Sequence, residues 1–428
     1  MNVFINPAKE TWNELTTRPS LELDFLESTV KNILNRVKKS GDAALQELTL
    51  QLDKVEIKHL AVTTADIENA VNSLSPTLKE AIAVAQRNIE KFHAVQIKGF
   101  AKIETMPGVT CWRKSVPIEK VGIYIPGGTA PLFSTVLMLG IPARLAGCKE
   151  IILCTPPDRN GKINPVILFA AQLVGISKIF KVGGAQAIAA MAYGTETIPK
   201  TYKLFGPGNQ YVTMAKQLLN KEGIAIDMPA GPSEVLVLAD ESGDPSFIAA
   251  DLLSQAEHGP DSQVMLVLLD ASKLSSIQKE LQEQLALLPR QAVAEKALQN
   301  SRVVTFNNQA IALEFVNDYA PEHLILMVQN EEAVADQIIN AGSVFLGNYS
   351  PEAAGDYASG TNHTLPTNGY AKSYAGVSVD SFMKHITYQK LTTEGIKNIG
   401  PSVAIMAEAE QLVAHQRAIS IRLDTLKS

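Results

Sequence analysis

The sequence predicts an α/β protein with two parallel-sheet domains of an incomplete Rossmann-like type and with helical extensions at both ends of the chain. From residue 121 onwards, short β-branched runs that end at Gly or Pro alternate with helical stretches, which is typical of βαβ units. A second α/β region runs from residue 244 to about residue 379. The length of 428 residues also exceeds one hydrophobic core and suggests two or three domains.

The individual elements follow from local patterns. Residues 22–96 are predicted to be mainly helical, because apolar residues recur there at intervals of three and four positions. Strands are predicted at 121–125, 151–154, 178–182, 202–205 and 234–238, and in the second region at 263–269, 303–306, 323–328 and 343–346. A helix is predicted at 401–423. This C-terminal tail is too short to bury a core alone, so it must dock on this chain or on another copy.

The bulk composition argues against several classes of protein. Lys and Arg total 38 against 44 Asp and Glu, and without a block of like charge the sequence indicates no nucleic-acid partner. The three cysteines show no CxxC spacing, which indicates neither a disulfide framework nor a thiolate metal site and favours a cytoplasmic location. No secretory signal is predicted at the N-terminus, and no apolar run reaches the roughly 18 residues of a membrane-spanning helix.

Residues 351–366 are predicted to form an active-site loop that carries metal-ligand side chains among glycines. Gly355 and Gly360 permit backbone angles that bring Asp356 and His363 to the same side. Zn²⁺ accepts oxygen and nitrogen ligands of these types, and other first-row divalent ions are compatible with them. A single loop histidine is more often an exposed surface residue, so the prediction depends on the other polar segments.

A second pair of candidate ligands lies at the end of a predicted helix. Asp244 and Pro245 indicate its start and Gly259 its stop, so Gln255 and His258 occupy the last turn. Side chains three residues apart share a helix face and can converge on one point. The alternative is that His258 only caps the carbonyl groups of the helix.

Three further polar pairs could complete a site, namely Ser233 with Glu234, Glu322 with His323, and Glu410 with His415. Glu322 and His323 lie at the mouth of a strand, where an imidazole can accept a proton, although an isolated Glu-His pair is often incidental. Glu410 and His415 are five apart on a predicted helix, which separates them by about 140°. They serve one site only if it wraps the helix or a partner contributes to it, and otherwise they form a solvated face.

No standard dinucleotide fingerprint, P-loop or nucleophile elbow is present. Glycines follow three of the predicted strands and let the backbone turn sharply and approach a ligand. These are Gly127 with Gly128, Gly183 with Gly184, and Gly206 with Gly208.

Several long motifs, in a fixed order along the chain, resemble the histidinol dehydrogenase family. The motifs lie at residues 121–128, 182–187, 205–209, 227–234, 254–262, 320–324 and 351–366. The resemblance implies an NAD-dependent four-electron oxidation of L-histidinol to L-histidine, the last step of histidine biosynthesis, through an aldehyde that stays in the site.

The resemblance also implies a set of functional residues. One Zn²⁺ per subunit would be held by Gln255, His258, Asp356 and His415. His323 would be the general base and Glu322 would activate water. The implied contacts to NAD are Tyr124, Gln186 and Asn209, and those to substrate are Ser233, Gln255, His258, His323, Asp356, His363, Glu410 and His415.

A homodimer with shared active sites is a further implication, in which the C-terminal tail of one subunit completes the site of the other. The chain is accordingly divided into an N-terminal arm at 1–20, a discontinuous α/β domain at 21–120 and 236–380 with the catalytic and metal residues, an inserted NAD-binding α/β domain at 121–235, and a helical tail at 381–428. Two other classes stay open. A zinc hydrolase could use the same ligands and the water-activating Glu322, and a non-catalytic sensor could keep the metal site without turnover.

Overall fold

The structure, a computed structural model, describes residues 1–19, 23–127, 131–229 and 231–427. The strands of this part of the chain are β1 (Asn2–Ile5), β2 (Ile103–Met106), β3 (Val109–Pro117), β4 (Lys120–Tyr124), β5 (Glu150–Thr155), β6 (Lys178–Lys181), β7 (Lys203–Phe205), β8 (Ala225–Ile226), β9 (Glu234–Ala239), β10 (Gln263–Leu268), β11 (Arg302–Thr305), β12 (His323–Met327), β13 (Ser343–Leu346) and β14 (Met383–Leu391). The helices are α1 (Trp12–Leu15), α2 (Leu23–Leu48), α3 (Thr64–Ser73), α4 (Pro76–Ala94), α5 (Phe133–Ala146), α6 (Pro165–Leu173), α7 (Gly184–Tyr193), α8 (Gln210–Lys221), α9 (Pro245–Ala256), α10 (Leu274–Leu285), α11 (Gln291–Gln299), α12 (Gln309–Tyr319), α13 (Glu331–Ala335), α14 (Glu352–Tyr357), α15 (Thr393–Ala409) and α16 (Val413–Asp424).

Two parallel sheets form the centre of the molecule. The large sheet has the strand order β1-β11-β10-β9-β12-β13, and the small sheet has the order β6-β5-β4-β7-β8. Every residue of β9 and of β10 is buried, which explains why these strands are continuous apolar runs instead of alternating patterns. The predicted α/β class with two parallel sheets is confirmed.

Helices cover the sheets and complete the hydrophobic core. The helices α2, α3 and α4 pack against α5, α6, α7 and α8, which flank the small sheet. The helices α9, α10 and α11 pack on one face of the large sheet, while α12 and Trp12 pack on the other. The division of the chain into domains at the boundaries given above stays a prediction.

An antiparallel sheet lies outside the predicted elements. The strand β3 pairs with β2 on one side and with β14 on the other, in a register from Met383 opposite Pro117 to Leu391 opposite Val109. The tail after residue 381 therefore starts with a strand before it becomes helical.

The helix predicted over residues 401–423 was wrong in its extent. The structure has two helices, α15 and α16, which pack on each other, and α15 already contains Pro401. The break lies at Gln411, whose φ of 60° is left-handed and ends the regular helix. Within the described residues, no helix combines the length and the hydropathy needed to cross a membrane.

Candidate active site

Glu322 and His323 lie at the amino end of the large sheet, between the starts of two neighbouring strands. His323 is the first residue of β12, and its register partner Val235 belongs to β9. Both residues are buried, at 6% and 3% exposure. The two predicted acid/base residues thus share one enclosed position.

The backbone of Glu234 contacts both members of this pair. Its N–H donates to Oε2 of Glu322 at 2.8 Å, and its carbonyl oxygen lies 3.1 Å from Nδ1 of His323. Because a carbonyl oxygen can only accept, Nδ1 carries a proton, and whenever the ring is neutral Nε2 is the nitrogen without one. Nε2 is buried and has no hydrogen-bond partner among the described residues.

Two further carboxylates approach His323 from α14. Oδ1 of Asp356 lies 3.5 Å from Nε2, and Oε1 of Glu352 lies 3.7 Å from Nδ1. Glu352 and Asp356 are four residues apart and therefore share a helix face. His323, Glu352 and Asp356 offer ligand atoms within 4.8 Å of one another, a geometry that could hold a metal ion.

The helix α14 corrects the prediction that residues 351–366 form a loop throughout. Pro351 precedes the first turn, Gly355 lies within the helix, and the helix ends at Tyr357 before Gly360, so Asp356 is positioned by helix geometry and not by a loop. Glu352 was missed in the sequence analysis, although a proline followed by a Glu and an Asp four residues apart indicates a helix with an acidic face.

Burial and mutual charge shift the pKa values of this cluster. Burial raises the pKa of Glu322 to about 8 and raises the pKa of Glu352 well above its usual range. Burial opposes a charged imidazole at His323, but Glu352, Glu322 and Asp356 raise its pKa well above the ordinary value. The pKa of Asp356 is lowered, because contact with His323 outweighs its burial. The cluster can therefore take up and release protons near neutral pH.

The predicted metal ligands on this chain are partly assembled. Gln255 is fully buried in the last turn of α9, and neither atom of its amide group has a hydrogen-bond partner among the described residues. His258 lies two residues beyond the end of that helix and not in its last turn as predicted, and its imidazole is close to the carboxylate of Asp356. Desolvation lowers the pKa of His258, which favours the neutral imidazole that binds metals.

His258 and Glu322 line a cavity of about 210 Å³ together with Ser233, His363 and Asn209. The ring of His363 is already engaged at both nitrogens, since Nε2 lies 2.9 Å from Oγ1 of Thr135 and Nδ1 lies 2.8 Å from the carbonyl oxygen of Asp356. Ser233 and His363, which were predicted to face substrate, are thus close to the predicted acid/base pair.

Tyr124, Gln186 and Asn209 line a second cavity of about 710 Å³ at the carboxyl ends of the small-sheet strands. The hydroxyl of Tyr124 accepts from the N–H of Gly184 at 3.0 Å, and Oε1 of Gln186 is buried without a partner among the described residues. Asn209 lines both cavities, so the two adjoin. Between them lies Gly206, where the φ of 126° and a distance of 2.1 Å from an added Cβ to the Tyr124 carbonyl oxygen require glycine.

Glu410 and His415 are not brought to this site within one chain. Glu410 ends α15 and His415 lies in the first turn of α16, and both side chains are exposed. In the described part of the chain, neither forms a hydrogen bond or an ion pair with Gln255, His258 or Asp356. The separation of about 140° that was calculated for one helix does not apply, because a turn lies between them.

Comparisons with known proteins agree on one family. The histidinol dehydrogenase family model matches residues 16–423. A histidinol dehydrogenase of Bacteroides fragilis (strain YCH46) is 59% identical over 427 residues, which are 100% of both chains, and the chloroplastic histidinol dehydrogenase of Arabidopsis thaliana is 51% identical over 97% of this chain and 90% of its own. The crystal structure of histidinol dehydrogenase from Elizabethkingia anophelis superimposes with a TM-score of 0.98 at 55% identity, over 100% of this chain and 99% of that one. The chain therefore belongs to the histidinol dehydrogenase family.

Proposed function

We propose that this chain is an L-histidinol dehydrogenase of histidine biosynthesis, which oxidises L-histidinol to L-histidine with NAD in two successive hydride transfers. Full-length relatives of that name support the proposal. The observation that carries it is the adjacency of two cavities that share Asn209, one of them large enough for a cofactor and the other lined by Glu322 of the buried acid/base pair. The relatives give no support to the zinc hydrolase that the sequence left as an alternative.

The larger cavity is the proposed NAD site. Its 710 Å³ fall within the usual range for small-molecule sites, and the unpaired Oε1 of Gln186 and the buried Tyr124 provide polar contacts in it. NAD, when bound, accepts the hydride. The position of Asn209 between the cavities would orient the nicotinamide towards the smaller one, where the substrate is oxidised.

His323 and Glu322 are the proposed bases. In the first oxidation, Nε2 of His323 takes the hydroxyl proton of the alcohol while the carbon that bears this hydroxyl loses a hydride. Once His323 has released this proton to solvent and a second NAD has replaced the NADH, water adds to the aldehyde while Glu322 takes a proton from the water. The resulting hydrate loses one hydride to the second NAD while His323 takes a hydroxyl proton, which leaves the carboxylic acid. A cation bound to Asp356 would offset the negative charge of its carboxylate, so Asp356 would raise the pKa of His323 less. The pKa of His323 would then lie closer to neutral pH, as suits a general base.

Gln255, His258 and Asp356 are proposed to hold one Zn²⁺, with His415 as the fourth ligand. Their nitrogen and oxygen donors suit zinc, and the orphaned amide of Gln255 and the orphaned Oδ1 of Asp356 are polar groups that a cation would satisfy. Zinc would anchor the amino and imidazole groups of the substrate. His415 would come from a second copy of the chain, because in its own chain it is exposed in the first turn of α16.

The proposal thus includes a homodimer with shared sites, in which Glu410 would contact the substrate together with Ser233 and His363. The exposed position of Glu410 and the proximity of Ser233 and His363 to Glu322 support these roles. The cytoplasmic location stays a prediction.

A stoichiometric assay tests the proposed reaction. We expect two NADH, followed by their absorbance, for every histidine formed from histidinol, because the aldehyde is oxidised before it leaves. A chelator should abolish this activity while the far-ultraviolet circular dichroism of the protein stays unchanged. One NADH per turnover with free aldehyde would contradict the retained intermediate, and full activity after zinc removal would contradict the metal site.

A further inference from the structure

We propose that Arg18 is a positioning residue for the acid/base pair. Its guanidinium joins Glu234 and Tyr319, the two residues whose backbones set where Glu322 and His323 lie. This inference rests on the proposed roles of that pair. It adds a residue from the N-terminal segment, more than 300 positions away along the chain, to the apparatus of the site.

Arg18 holds Glu234 through two parallel hydrogen bonds. Nε donates to Oε1 at 3.1 Å and Nη2 donates to Oε2 at 3.0 Å, the paired geometry that gives arginine its directional selectivity for carboxylates. The two side chains are 10% and 1% exposed. The backbone N–H of Asn368 also donates to Oε1 at 2.6 Å, which leaves the Glu234 carboxylate few ways to move.

The same guanidinium holds the end of α12. Nη2 donates to the carbonyl oxygen of Tyr319 at 2.6 Å, and the guanidinium carbon lies 3.7 Å from the centre of the Tyr319 ring. Tyr319 is followed by Ala320, whose φ of 52° is left-handed, then by Pro321 and Glu322. A non-glycine residue in that conformation needs support from its surroundings. Arg18 therefore joins both segments that lead into the site.

The consequence for His323 follows from the backbone of Glu234. Its carbonyl oxygen faces Nδ1 of His323 and its N–H bonds Glu322, so a displacement of this one residue moves both partners. If the carbonyl shifts, the ring of His323 loses the contact at Nδ1 that fixes its position, with Nε2 3.5 Å from Oδ1 of Asp356. Misplacement of reacting groups by about 1 Å can cost on the order of 100-fold in rate.

A second ion pair of the N-terminal segment provides a matched control. Lys9 bonds Glu314 at 2.8 Å, but its side chain is 70% exposed and that of Glu314 is 59% exposed. An exposed pair contributes little to stability, whereas loss of one member of a buried pair leaves an uncompensated charge. Lys9→Gln should therefore change neither turnover nor folding.

The experiment compares steady-state kinetics of the zinc-loaded enzyme with Arg18→Gln, Arg18→Lys and Lys9→Gln. For Arg18→Gln we expect kcat to fall about 10- to 100-fold while KM for NAD stays within about threefold, because the cofactor cavity lies at the other sheet. Arg18→Lys should recover only part of the loss, since an ammonium group cannot form the paired bonds. If Arg18→Gln does not fold, Arg18→Lys carries the same comparison.

A double-mutant cycle separates positioning from general destabilisation. If Arg18 acts through His323, Arg18→Gln should cause no further loss of residual turnover in a His323→Ala background. An equal loss in both backgrounds, or an unchanged kcat in Arg18→Gln, would overturn the positioning role. Near-normal turnover of His323→Ala alone would instead overturn the proposed function, so the two failures are distinguishable.

Discussion

The two parallel sheets have the same strand order but carry the candidate functional residues at opposite ends. Counted from β4 in the small sheet and from β9 in the large one, both follow the order 3-2-1-4-5, and the large sheet adds β1 at its edge. In the small sheet, Tyr124 ends β4 and Asn209 follows β7, so the cavity lies at the carboxyl ends. In the large sheet, Glu234 and His323 begin β9 and β12, so the buried acid/base candidates lie at the amino ends.

This difference shows that strand order alone does not place a site. Ligands on open parallel sheets collect beyond the carboxyl ends, and only the small sheet follows that rule. Asp227 and Met228 follow β8 of the small sheet, and Gly231, Pro232 and Ser233 precede β9 of the large sheet. All five line the smaller cavity, so a carboxyl end and an amino end face the same cavity. The helix α9 then runs back along the large sheet and delivers Gln255 to the amino end.

The largest expected effect separates the chemistry of the large sheet from cofactor binding at the small one. We expect His323→Ala to lower kcat by about 10²- to 10⁴-fold, the usual contribution of a positioned base. KM for NAD and the zinc content should stay unchanged, because neither the cofactor cavity nor the proposed ligand set includes this residue. Kinetics with metal analysis checks both, and a large rise in KM for NAD would break the division between the sheets.

The pH dependence of aldehyde oxidation tests the proposed role of Glu322 at the large sheet. Because burial raises the pKa of Glu322 to about 8, its carboxyl is mostly protonated at neutral pH and becomes a base only as the pH rises. We expect oxidation of added aldehyde to speed up through about pH 8, at up to roughly tenfold per pH unit below it. NADH formation from the aldehyde measures this, and Glu322→Gln should remove the rise.

The raised pKa of Glu322 predicts that stability falls with rising pH, whereas the activity is expected to rise. The folded state binds a proton that the unfolded state has lost between the ordinary carboxyl pKa and about 8. The resulting stabilisation is fully present below that ordinary value and is lost as the pH rises through about 8. Melting temperatures of the parent protein relative to Glu322→Gln should therefore decline over this window, and a constant difference would contradict the shift.

The smallest expected effect concerns Asn209 at the junction of the two cavities. Its Oδ1 accepts from the N–H groups of Tyr211 and Val212 and caps α8, so Asn209→Ala should cost about 1 kcal/mol of stability. The same change should raise KM for NAD about tenfold, a loss of roughly 1.4 kcal/mol. Denaturant unfolding and steady-state kinetics measure the two effects.

Asn209→Asp separates these two roles of Asn209. It keeps the capping oxygen and adds a negative charge at a helix N-terminus, where that charge is favourable, so stability should be retained. The side-chain N–H is lost, and KM for NAD should still rise. A normal KM in this variant would show that Asn209 acts on the cofactor only through α8.

Much of the fold was predictable because its signals are local. The predicted strands of both sheets are confirmed at nine positions within one or two residues, and Asp244 caps α9 as expected. The antiparallel sheet was not predicted, because β14 pairs with β3 across about 270 residues, as in the contact between His385 and Ser115. Seven consecutive residues of β14 are exposed, so no alternating pattern of apolar and polar residues marks this segment as a strand.

The candidate site divides in the same way. The sequence by itself determined which residue types are available for it, from the pair Glu322 and His323 to the candidate ligand Gln255, because each lies in a recognisable motif next to a strand or a helix end. Only the tertiary structure decided that Glu352 faces His323 and that Arg18 holds Glu234. Such contacts join distant segments in a shared buried space, and local periodicity carries no information about which segments will meet there.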